Sequence, residues 1–488
     1  MKSFVVILLL VVSLPCSARQ ITVSDYPAIH DACQNALPGD TIIITSGVYT
    51  IEGNNRIMVT NRPGPVLVTG ETDDPRDVTI QGVNMDSDIV EMIFNLDNCP
   101  QWTFQGFTAR NTYYHAFKFD RGSSDCTIRN VYMLDNGESG VKGTSDNVAK
   151  VYPDRLLVEN CKIGYTKTAG SDHPQVEGID GVAENDWIIR GNRFVNIQKS
   201  AFDKAAYAVF TKGNSSRTII EGNRFEDCFI GASFGGGGTD PVFFRDNDQT
   251  YEHRDGIISN NVFIRCSDAA VYINKGTNCK IYNNTLIQCV LTIQLRFKES
   301  SGYIKNNLVL LSSSNATEPL LRLRDGATLL GEAANRSAGG QEFLNIIGLS
   351  AYVDAGLRDL SPAIDSGVTL TEVPNDFIGT QRPQGKAYDI GAYEFIPPTS
   401  VQEKLSANTS LQVIYSPSGP MLRISLPYRS HIELAVFDAL GREAALLANG
   451  NYEQGNISFT LPSSLAGGIY IGSLQYRDYN ESVKILIK

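Results

Sequence analysis

The sequence lacks an excess of basic residues, which limits the partners it can have. Lys and Arg number 42 against 53 Asp and Glu among 488 residues, so the formal net charge is -11. Residues 401–488 carry seven basic and seven acidic side chains, which places the acidic excess before them. Because a nucleic-acid partner requires a basic face, the composition argues against one.

The sequence also lacks a second long apolar run. Lys2 gives the N-terminus a positive start, an apolar stretch follows to Leu14, and Ser17-Ala18 is a small-residue cleavage site. These features predict a signal peptide over residues 1–18. No other run is long enough to span a membrane. We therefore expect an exported protein without a transmembrane segment, either secreted or held at the cell surface.

Helical periodicity is missing from the middle of the chain, and a short motif recurs there instead. Its anchor positions lie 23 to 38 residues apart, at Gly82, Gly106, Asn130, Asn160, Asn192, Asn223, Asn261, Asn284 and Asn307. A period in the low twenties with short β-branched runs is typical of a solenoid, and the leucine skeleton of leucine-rich repeats is absent. The pattern predicts an all-β fold, a right-handed parallel β-helix with the Asn residues stacked at one bend.

Cysteine pairs with the spacing of a metal site are absent, so a zinc site is not expected. Eight cysteines remain after the signal peptide. Cys228, Cys266 and Cys289 each follow an anchor Asn by five residues, so they should stack on successive coils. We expect a column of buried thiols, although a disulfide between neighbours stays open because export permits oxidation.

Both ends of the solenoid carry recognisable signals. A short amphipathic helix is predicted from Ser24 to Ala36, capped by Ser24, where it would close the open end of the first coil. Segments within 361–394, beginning with Ser361-Pro-Ala-Ile-Asp-Ser-Gly367, resemble the closing segment of secreted bacterial β-helix proteins. That resemblance implies that they form the final coils, so the β-helix domain is predicted over 19–396.

A separate module is predicted after the linker 397–400. The alternating pattern of residues 401–488 is typical of a small β-sandwich. Val436-Phe-Asp-Ala-Leu-Gly-Arg442, Leu465-Ala-Gly-Gly-Ile-Tyr470 and the Lys-Ile-Leu-Ile-Lys488 ending resemble the C-terminal sorting domain of type IX secretion cargo. The resemblance implies export through the type IX secretion machinery. We expect the mature protein to be a monomer.

Four central repeats carry roughly 7 to 15 extra residues, and such insertions usually gather on the binding face. The insertions 165–175 and 198–204 precede the strand that follows each anchor, and 144–155 and 236–253 come after it. They are therefore predicted to form walls on both sides of a groove. The glycines from Gly235 to Gly238 lack the Lys-Ser/Thr of a phosphate loop, so a close backbone approach at the groove floor, or a tight bend, explains them better.

Strand alternation predicts which side chains face this groove. Apolar residues such as Phe117, Val141 and Ile179 should face inward. The outward column is then Lys118, Lys142, Asp180, Phe210, Lys212, Ser233, Gly235, Tyr272, Asn274, Gln294 and Arg296. Cations meet carboxylates and aromatic faces meet sugar rings, so this column suits an acidic polysaccharide. The predicted substrate-binding residues are Asp180, Phe210, Tyr272, Asn274, Gln294, Arg296 and Arg254.

The repeat region, residues 20–395, resembles parallel β-helix polysaccharide lyases of the pectate lyase and chondroitinase B-like type. Blocks at 177–181, 234–239 and 251–256 are similar to those of a bacterial β-helix subgroup. The resemblance implies an exported lyase that cleaves a uronate-containing glycan by β-elimination. This reaction needs a cation against the uronate carboxylate and a base for the C5 proton.

Catalytic candidates follow from that chemistry. Lys212 is the predicted base, since Lys142 beside it would lower its pKa, although Asp180 between them opposes that shift. His173 and His253 in the flanking loops are alternative acid–base groups. Proton donor and carboxylate-clamp roles are assigned to Tyr251, Arg254 and Arg296. A Ca²⁺ ion held by Asp180 or Glu177 with Asp240, Asp246 and Asp248 is a further possibility, although the spacing matches no calcium loop.

Two other functions stay open from the sequence. A glycoside hydrolase would need a carboxylate pair, Asp180 with Glu177 or Asp240. Strict alternation places Glu177 and Asp180 on opposite faces, which argues against the first pair. A non-catalytic adhesin would use the same column only to bind a glycan.

Overall fold

The computed structural model describes residues 18–146, 148–167, 170–199, 206–236, 238–310, 320–337 and 355–396, and within 411–487 the ranges 411–416, 419–426, 430–438, 442–453, 455–462, 464–476 and 479–487. The predicted signal peptide except Ala18, the linker 397–400 and part of the insertion 198–204 lie outside these residues. No helix in the described ranges is long and apolar enough to cross a membrane.

The described chain winds into a right-handed parallel β-helix, as predicted, and its strands form three stacks. Its first stack contains Gln20–Val23, Thr41–Ile44, Val66–Gly70, Leu157–Glu159, Ile188–Arg190, Ile219–Glu221, Ile257–Ser259, Cys279–Tyr282, Ser301–Lys305 and Thr328–Ala333. Its second contains Gly47–Thr50, Val78–Gln81, Lys162–Gly164, Arg193–Val195, Arg224–Glu226, Val262–Ile264, Thr285–Ile287, Leu308–Leu310 and Arg336–Ser337. Two long strands, Trp102–Arg110 and Thr127–Leu134, pass through both stacks.

The third stack positions the candidate site. Its ten parallel strands are Ile57–Thr60, Met92–Asp97, His115–Phe119, Ser139–Gly143, Glu177–Val182, Tyr207–Lys212, Ile230–Phe234, Ala269–Asn274, Leu291–Arg296 and Leu321–Arg324. A small parallel sheet of Ser215–Ser216, His253–Arg254 and Gly276–Thr277 follows it at the turn. Two short 3₁₀ turns, Pro241–Phe243 and Arg245–Asn247, lie in the insertion after Phe234.

An asparagine ladder fixes the bend between the first two stacks. The Nδ2 atom of each Asn donates to the Oδ1 atom of the Asn in the next coil at 3.0 Å. The ladder consists of Asn192, Asn223, Asn261, Asn284, Asn307 and Asn335. Because each amide also donates to a backbone carbonyl of the preceding coil, the otherwise orphaned polar groups of the bend are satisfied. The predicted ladder is confirmed from Asn192 onward and extends one coil beyond Asn307, whereas Asn130 and Asn160 occupy the left-handed turn position of Gly191, one residue before the ladder.

The interior repeats in the same way. The rings of Phe194, Phe225 and Phe263 stack with centroids 4.8 and 4.6 Å apart. All eight cysteines in the described residues are free and buried, and the backbone N–H of Cys266 donates to Cys289 Sγ at 3.4 Å. The prediction of a buried thiol column is therefore confirmed. Aromatic stacking adds to the burial of apolar area in holding the coils in register.

Helix α1 (Tyr26–Gln34) closes the N-terminal end, as predicted, by packing against the first strands. Its N-cap is Asp25 and not Ser24, because the Asp25 carboxylate accepts a hydrogen bond from the Ala28 N–H at 2.8 Å. The buried side chains Ile29 and Cys33 face the coil interior. The helix thus covers core that the first coil would otherwise expose to water.

The prediction that the closing segment forms the final coils is wrong. Residues 355–396 contain no strand, and they lie against the left-handed turns at Asn260, Asn283 and Asn306. The reason is that these three Asn amides donate to carbonyls of the segment, which fixes it along the side of earlier coils. A fully buried ion pair between Arg382 and Glu394, with Nη1 and Oε2 2.7 Å apart, holds the segment together.

The C-terminal module contains two antiparallel sheets, as expected for a small β-sandwich. One sheet contains Leu411–Ser416, Gly419–Leu426 and Gly455–Thr460. The other contains Ser430–Asp438, Glu443–Tyr452, Gly468–Tyr476 and Tyr479–Ile487.

Candidate functional site

The outward column of the third stack has the predicted register. Strand pairing places these residues side by side in successive coils: Asn95, Lys118, Lys142, Asp180, Phe210, Ser233, Tyr272, Gln294 and Arg322. Phe117, Val141 and Ile179 are fully buried in the core, as expected. Residues far apart in sequence therefore share one outer face with a strand spacing of about 4.8 Å.

A second outward column lies three residues before the first, contrary to strict alternation. A Cβ atom on Gly178 would lie 3.0 Å from the Phe194 ring, so position 178 faces the core, and Ile179 does too. With two consecutive residues facing inward, Glu177 and Asp180 both face outward. The same spacing brings the rings of Tyr207 and Phe210 into a stack, with centroids 4.3 Å apart. The prediction that Glu177 and Asp180 face opposite sides is therefore wrong.

At the N-terminal part of this outer face, titratable residues form a group that we call the lysine cluster. It consists of His115, Lys118, Lys142, Glu177, Asp180 and Lys212. Lys142 Nζ donates a hydrogen bond to the buried Asp180 carboxylate, and Lys212 Nζ lies 3.6 Å from the same oxygen. The side chains of Lys118, Lys142 and Lys212 are 27%, 16% and 15% exposed and Glu177 is 7% exposed, so a ligand can reach these groups but not the fully buried Asp180 carboxylate.

The electrostatics of the cluster separate its two carboxyl groups. Burial alone would raise the pKa of Asp180, but Lys142 and Lys212 outweigh that effect and hold it below its usual range. Burial, followed by the charge of Asp180, raises the pKa of Glu177 to about 8. Burial acts to lower the pKa of Lys142, yet Asp180 and Glu177 raise it overall. At neutral pH the cluster thus contains a protonated Glu177, an ionised Asp180 and a charged Lys142.

His115 belongs to the cluster although the sequence did not single it out. It pairs in register with Ser139, and its Nδ1 atom lies 2.9 Å from Ser139 Oγ. Burial, and then the charge of Lys142, lowers the pKa of His115 to about 3, so the ring is neutral. Its position three residues before Lys118 would have identified it, once the second outward column was known.

An aromatic patch follows the lysine cluster along the face. Tyr207, Phe210, Ile230, Ala269 and Tyr272 pack together outside the main core. Lys212 Nζ lies 4.0 Å from the centroid of the Phe210 ring, which links the patch to the cluster. A Cβ atom on Gly236 would lie 2.0 Å from this ring, so only glycine fits beneath it. The predicted close approach at the groove floor is confirmed here.

A pocket that we call the arginine pocket lies beyond the patch, with a cavity of ≈ 600 Å³. Its polar lining includes Asn274, Lys275, Gln294, Arg296 and Arg324. The lysine cluster, the aromatic patch and the arginine pocket therefore form one continuous line across the strands.

Two walls flank the line, one built by each pair of insertions. In the first, Arg245 forms a two-pronged ion pair with Asp154 at 2.7 and 2.9 Å, and its guanidinium lies over the Tyr152 ring. In the second, Ser171 N donates to Gln198 O at 3.1 Å and Lys199 Nζ to Pro174 O at 3.0 Å. Each pair of insertions is thus joined by direct contacts within its described residues.

The predicted flanking histidines differ in their surroundings. His253 lies in a strand, fully buried, with its ring stacked 4.1 Å from Phe234 and its Nε2 atom 2.8 Å from Thr218 Oγ1. The prediction that it is a groove-facing loop residue is wrong, because ring stacking draws it into the coil interior. His173 lies in the second wall, where its Nε2 atom is 2.7 Å from Met85 O.

Tyr251 and Arg254 contact each other and not the lysine cluster. The Arg254 guanidinium lies 5.4 Å from the Tyr251 ring centroid, and it donates to Asn214 Oδ1 and Asp248. Their predicted roles as proton donor and carboxylate clamp therefore find no support in the contacts of the described residues. Arg296 lines the arginine pocket instead.

The four aspartates suggested for calcium do not form a site in the described chain. Asp180 is held by lysines, Asp240 caps the turn Pro241–Phe243, and Asp248 accepts from Arg254. Asp246 lies beside Tyr152. No group of three His, Cys, Asp or Glu side chains with metal-binding geometry occurs among these residues. Since the donors do not fit a Ca²⁺ ion, no catalytic step is derived from one.

Comparison with known proteins identifies the fold. Residues 93–315 match the family described as "Right handed beta helix region". Among solved structures, a pectate lyase is 14% identical, with 78% of this chain and 97% of that chain covered and a TM-score of 0.41. An alginate lyase from a Paenibacillus species is 14% identical, with 63% and 98% covered and a TM-score of 0.33. A Family 28 exopolygalacturonase from Yersinia enterocolitica is 9% identical, with 65% and 78% covered and a TM-score of 0.37. No curated protein matches the sequence.

Proposed function

We propose that the outer face of the third stack binds an acidic polysaccharide and cleaves it by β-elimination. The observation that carries the proposal is the convergence of Lys142 and Lys212 on one buried carboxylate, Asp180, beside an aromatic patch. Asp180 fixes the two lysine side chains, and each keeps a partly exposed surface toward the groove. A uronate carboxylate is the ligand that such a pair of cations favours.

The chemistry assigns one role to each accessible group. Lys142, which stays charged, neutralises the uronate carboxylate and thereby stabilises the carbanion that forms at C5. Lys212 acts as the base that takes the C5 proton. The C4–O bond then breaks, a C4–C5 double bond forms, and the protonated Glu177 gives its proton to the departing oxygen.

A direct test uses alginate, pectate and glycosaminoglycans as substrates. Elimination produces 4,5-unsaturated chain ends that absorb in the ultraviolet, and we expect this absorbance with one of these glycans. Lys212→Ala should lower kcat/KM by roughly a hundredfold or more. Lys280→Ala is the matched control, since Lys280 forms an ion pair with Glu372 outside this face. Full lyase activity of Lys212→Ala would remove the base assignment.

Hydrolysis is a second candidate, favoured by one observation. Glu177 and Asp180 lie on the same face with different protonation states, as the acid and carboxylate of a glycosidase do. The burial of Asp180 and its two lysine partners make it a poor nucleophile, so we rank this second. New reducing ends without ultraviolet absorbance would support hydrolysis over elimination. Binding without any product would support an adhesin.

We also infer that the protein is exported and that residues 401–488 are a sorting module for the type IX machinery. The apolar N-terminal stretch, the three C-terminal segments and the small antiparallel sheets support this inference. Removal of residues 401–488 in the producing cell should leave the protein in the periplasm, whereas the full chain should reach the surface or medium. Export of the truncated chain would contradict the inference.

A further inference from the structure

The arginine pocket contains buried polar atoms that have no partner. Asn274 and Gln294 are only 4% and 6% exposed, and both line the cavity of ≈ 600 Å³. Asn274 Oδ1 and Gln294 Oε1 accept no hydrogen bond within the described part of the chain. Buried amide oxygens are normally satisfied, so this pair indicates a ligand that supplies donors, such as sugar hydroxyls.

The pocket also has more positive than negative charge. Lys275 and Arg324 line it without an ion pair to any described residue, whereas Arg296 Nε lies 2.7 Å from Asp325. Asp268 is the one acidic residue among the described lining residues, and burial raises its pKa. Two uncompensated cations beside unpartnered amides fit a carboxylate or sulfate carried by a sugar.

Phe297 stands at the pocket in a conformation that its side chain disfavours. Its φ is +74°, in the left-handed region, where a bulky residue is an outlier. Lys275 and Asp325 occupy the same turn position in the neighbouring coils, also with positive φ. An aromatic residue there costs backbone energy that a small polar residue would not, and its ring centroid lies 4.7 Å from the Arg296 guanidinium and 5.9 Å from Lys275 Nζ, which places the ring among the pocket's cations. A stacking surface for a sugar ring is consistent with its place in the lining.

We propose that the arginine pocket is a second anion-binding subsite for the same polysaccharide chain, distant from the lysine cluster. Four strand steps separate Asp180 from Gln294, which is about 19 Å at the usual strand spacing. One strand step is close to the length of one sugar residue, so the two cationic sites bind sugars that are roughly four positions apart in the chain, with about three residues between them. The protein should therefore prefer chains long enough to occupy both. This inference rests on the proposed function for its substrate class.

The test measures length dependence with oligosaccharides of three to eight residues. Two arms are used, oligouronates and chondroitin sulfate oligosaccharides, because a carboxylate or a sulfate could fill the pocket. For the full-length protein we expect kcat/KM to rise about tenfold or more between the trisaccharide and the hexasaccharide. Arg324→Gln should raise KM for the hexasaccharide by about tenfold, with kcat unchanged and trisaccharide kinetics unaffected.

Two further variants separate binding from a structural role. Phe297→Asn should keep or raise the melting temperature, since Asn tolerates the left-handed region, yet weaken hexasaccharide binding several-fold. Lys298→Gln is the matched control, an exposed cation at the next position that does not line the pocket, and should change neither value. Unchanged hexasaccharide KM in both Arg324→Gln and Phe297→Asn would overturn the subsite.

Binding measured by calorimetry, together with turnover, distinguishes failure of the subsite proposal from failure of the proposed function. Turnover without length dependence would reject the subsite and leave the lyase assignment intact. Length-dependent binding that Arg324→Gln removes, without turnover, would support the subsite and reject the lyase. Neither binding nor turnover with any of these oligosaccharides would reject both.

Discussion

The asparagine ladder and the outer face of the third stack are built by the same coils but obey different rules. From Asn192 to Asn307, five successive coils place asparagine at the bend. On the outer face the same coils place five different residues in register: Phe210, Ser233, Tyr272, Gln294 and Arg322. Strand spacing is equal at both places, so the geometry alone does not explain the contrast.

The difference reflects what each position must satisfy. At the bend, every coil leaves the same backbone N–H and C=O groups without a partner. An asparagine side chain can both donate and accept hydrogen bonds, so it pairs these groups in the same way in each coil. On the outer face the backbone does not require the same side chain in every coil; Ser233 donates to the Gly235 and Tyr272 carbonyls, but the other four positions can vary to suit what lies outside the protein. Uniform columns therefore hold the solenoid together, and varied columns mark the surface where a ligand is expected. Substitutions in the two columns should accordingly have separate effects.

The largest expected effect is on activity, from Glu177→Gln on the varied face. Glutamine matches the shape of the protonated acid but cannot give a proton to the leaving oxygen, so kcat should fall by about a thousandfold at pH 7. The folded protein should be at least as stable as the wild type, because burial already disfavours the Glu177 carboxylate. Enzyme kinetics and urea denaturation measure the two quantities.

Glu221→Gln is the matched control for this variant. Burial also raises the pKa of Glu221, but the residue lies in a first-stack strand, away from the groove. We expect its activity to equal that of the wild type. Equal activity of Glu177→Gln and the wild type would show that Glu177 takes no part in the chemistry.

The next effect is on stability, from Asn261→Ala in the uniform column. The Asn261 side chain makes four hydrogen bonds: its Nδ2 donates to Ile220 O and Asn284 Oδ1, and its Oδ1 accepts from both nitrogens of Asn223. Their loss leaves buried groups unpaired, so the free energy of unfolding should drop by about 3 kcal/mol. Activity per folded molecule should be unchanged. Urea denaturation and kinetics on the same sample test both statements.

Asn335→Ala, at the end of the ladder, is the comparison variant for the stability loss of Asn261→Ala. Asn335 is less buried, so water can replace part of what it binds, and its loss should cost less than that of Asn261. If both variants lost the same stability, the ladder would not act through burial of paired amides.

Much of the fold was predictable because the repeat constrains it at every coil. The anchor spacing located the Asn ladder from Asn192 onward, and the first outward column of the third stack followed from it. The closing segment 355–396 was not predictable, because it is held by tertiary contacts to Asn260, Asn283 and Asn306. Nothing in its own sequence shows whether it continues the coil or lies against its side.

Only some residues of the candidate site were placed correctly from the sequence, because the strand departs locally from strict alternation. Alternation located Lys142 and Asp180 correctly but placed Glu177 on the wrong face, since the rule assumes one residue per pleat. Two consecutive inward residues at Gly178 and Ile179 break that assumption, and only the core around Phe194 reveals it. His253 was misplaced because stacking on Phe234 is a contact between residues on different turns.

The smallest expected effect is a change in how the free energy of unfolding depends on pH, caused by Glu177 on the varied face. The pKa of Glu177 is about 8 in the folded protein, against an ordinary value of 4.5. The stability that the protonated Glu177 carboxyl contributes is therefore fully present below pH 4.5. That contribution is lost as pH rises toward 8, because the unfolded chain releases a proton that the folded chain still holds. The expected loss is about 1.4 kcal/mol per pH unit in this window.

Glu184 titrates similarly, since burial also raises its pKa to about 8, so the wild type alone cannot isolate Glu177. The comparison of the wild type with Glu177→Gln does so, because Glu184 is common to both. Urea denaturation between pH 7 and 8, above the range in which the buried His115 and His253 titrate, should give a slope that is shallower by about 1 kcal/mol per pH unit in the variant, because the folded Glu177 carboxyl itself begins to ionise near pH 8. Parallel slopes would mean that Glu177 is ionised in the folded protein at neutral pH, and its role as proton donor would then be wrong.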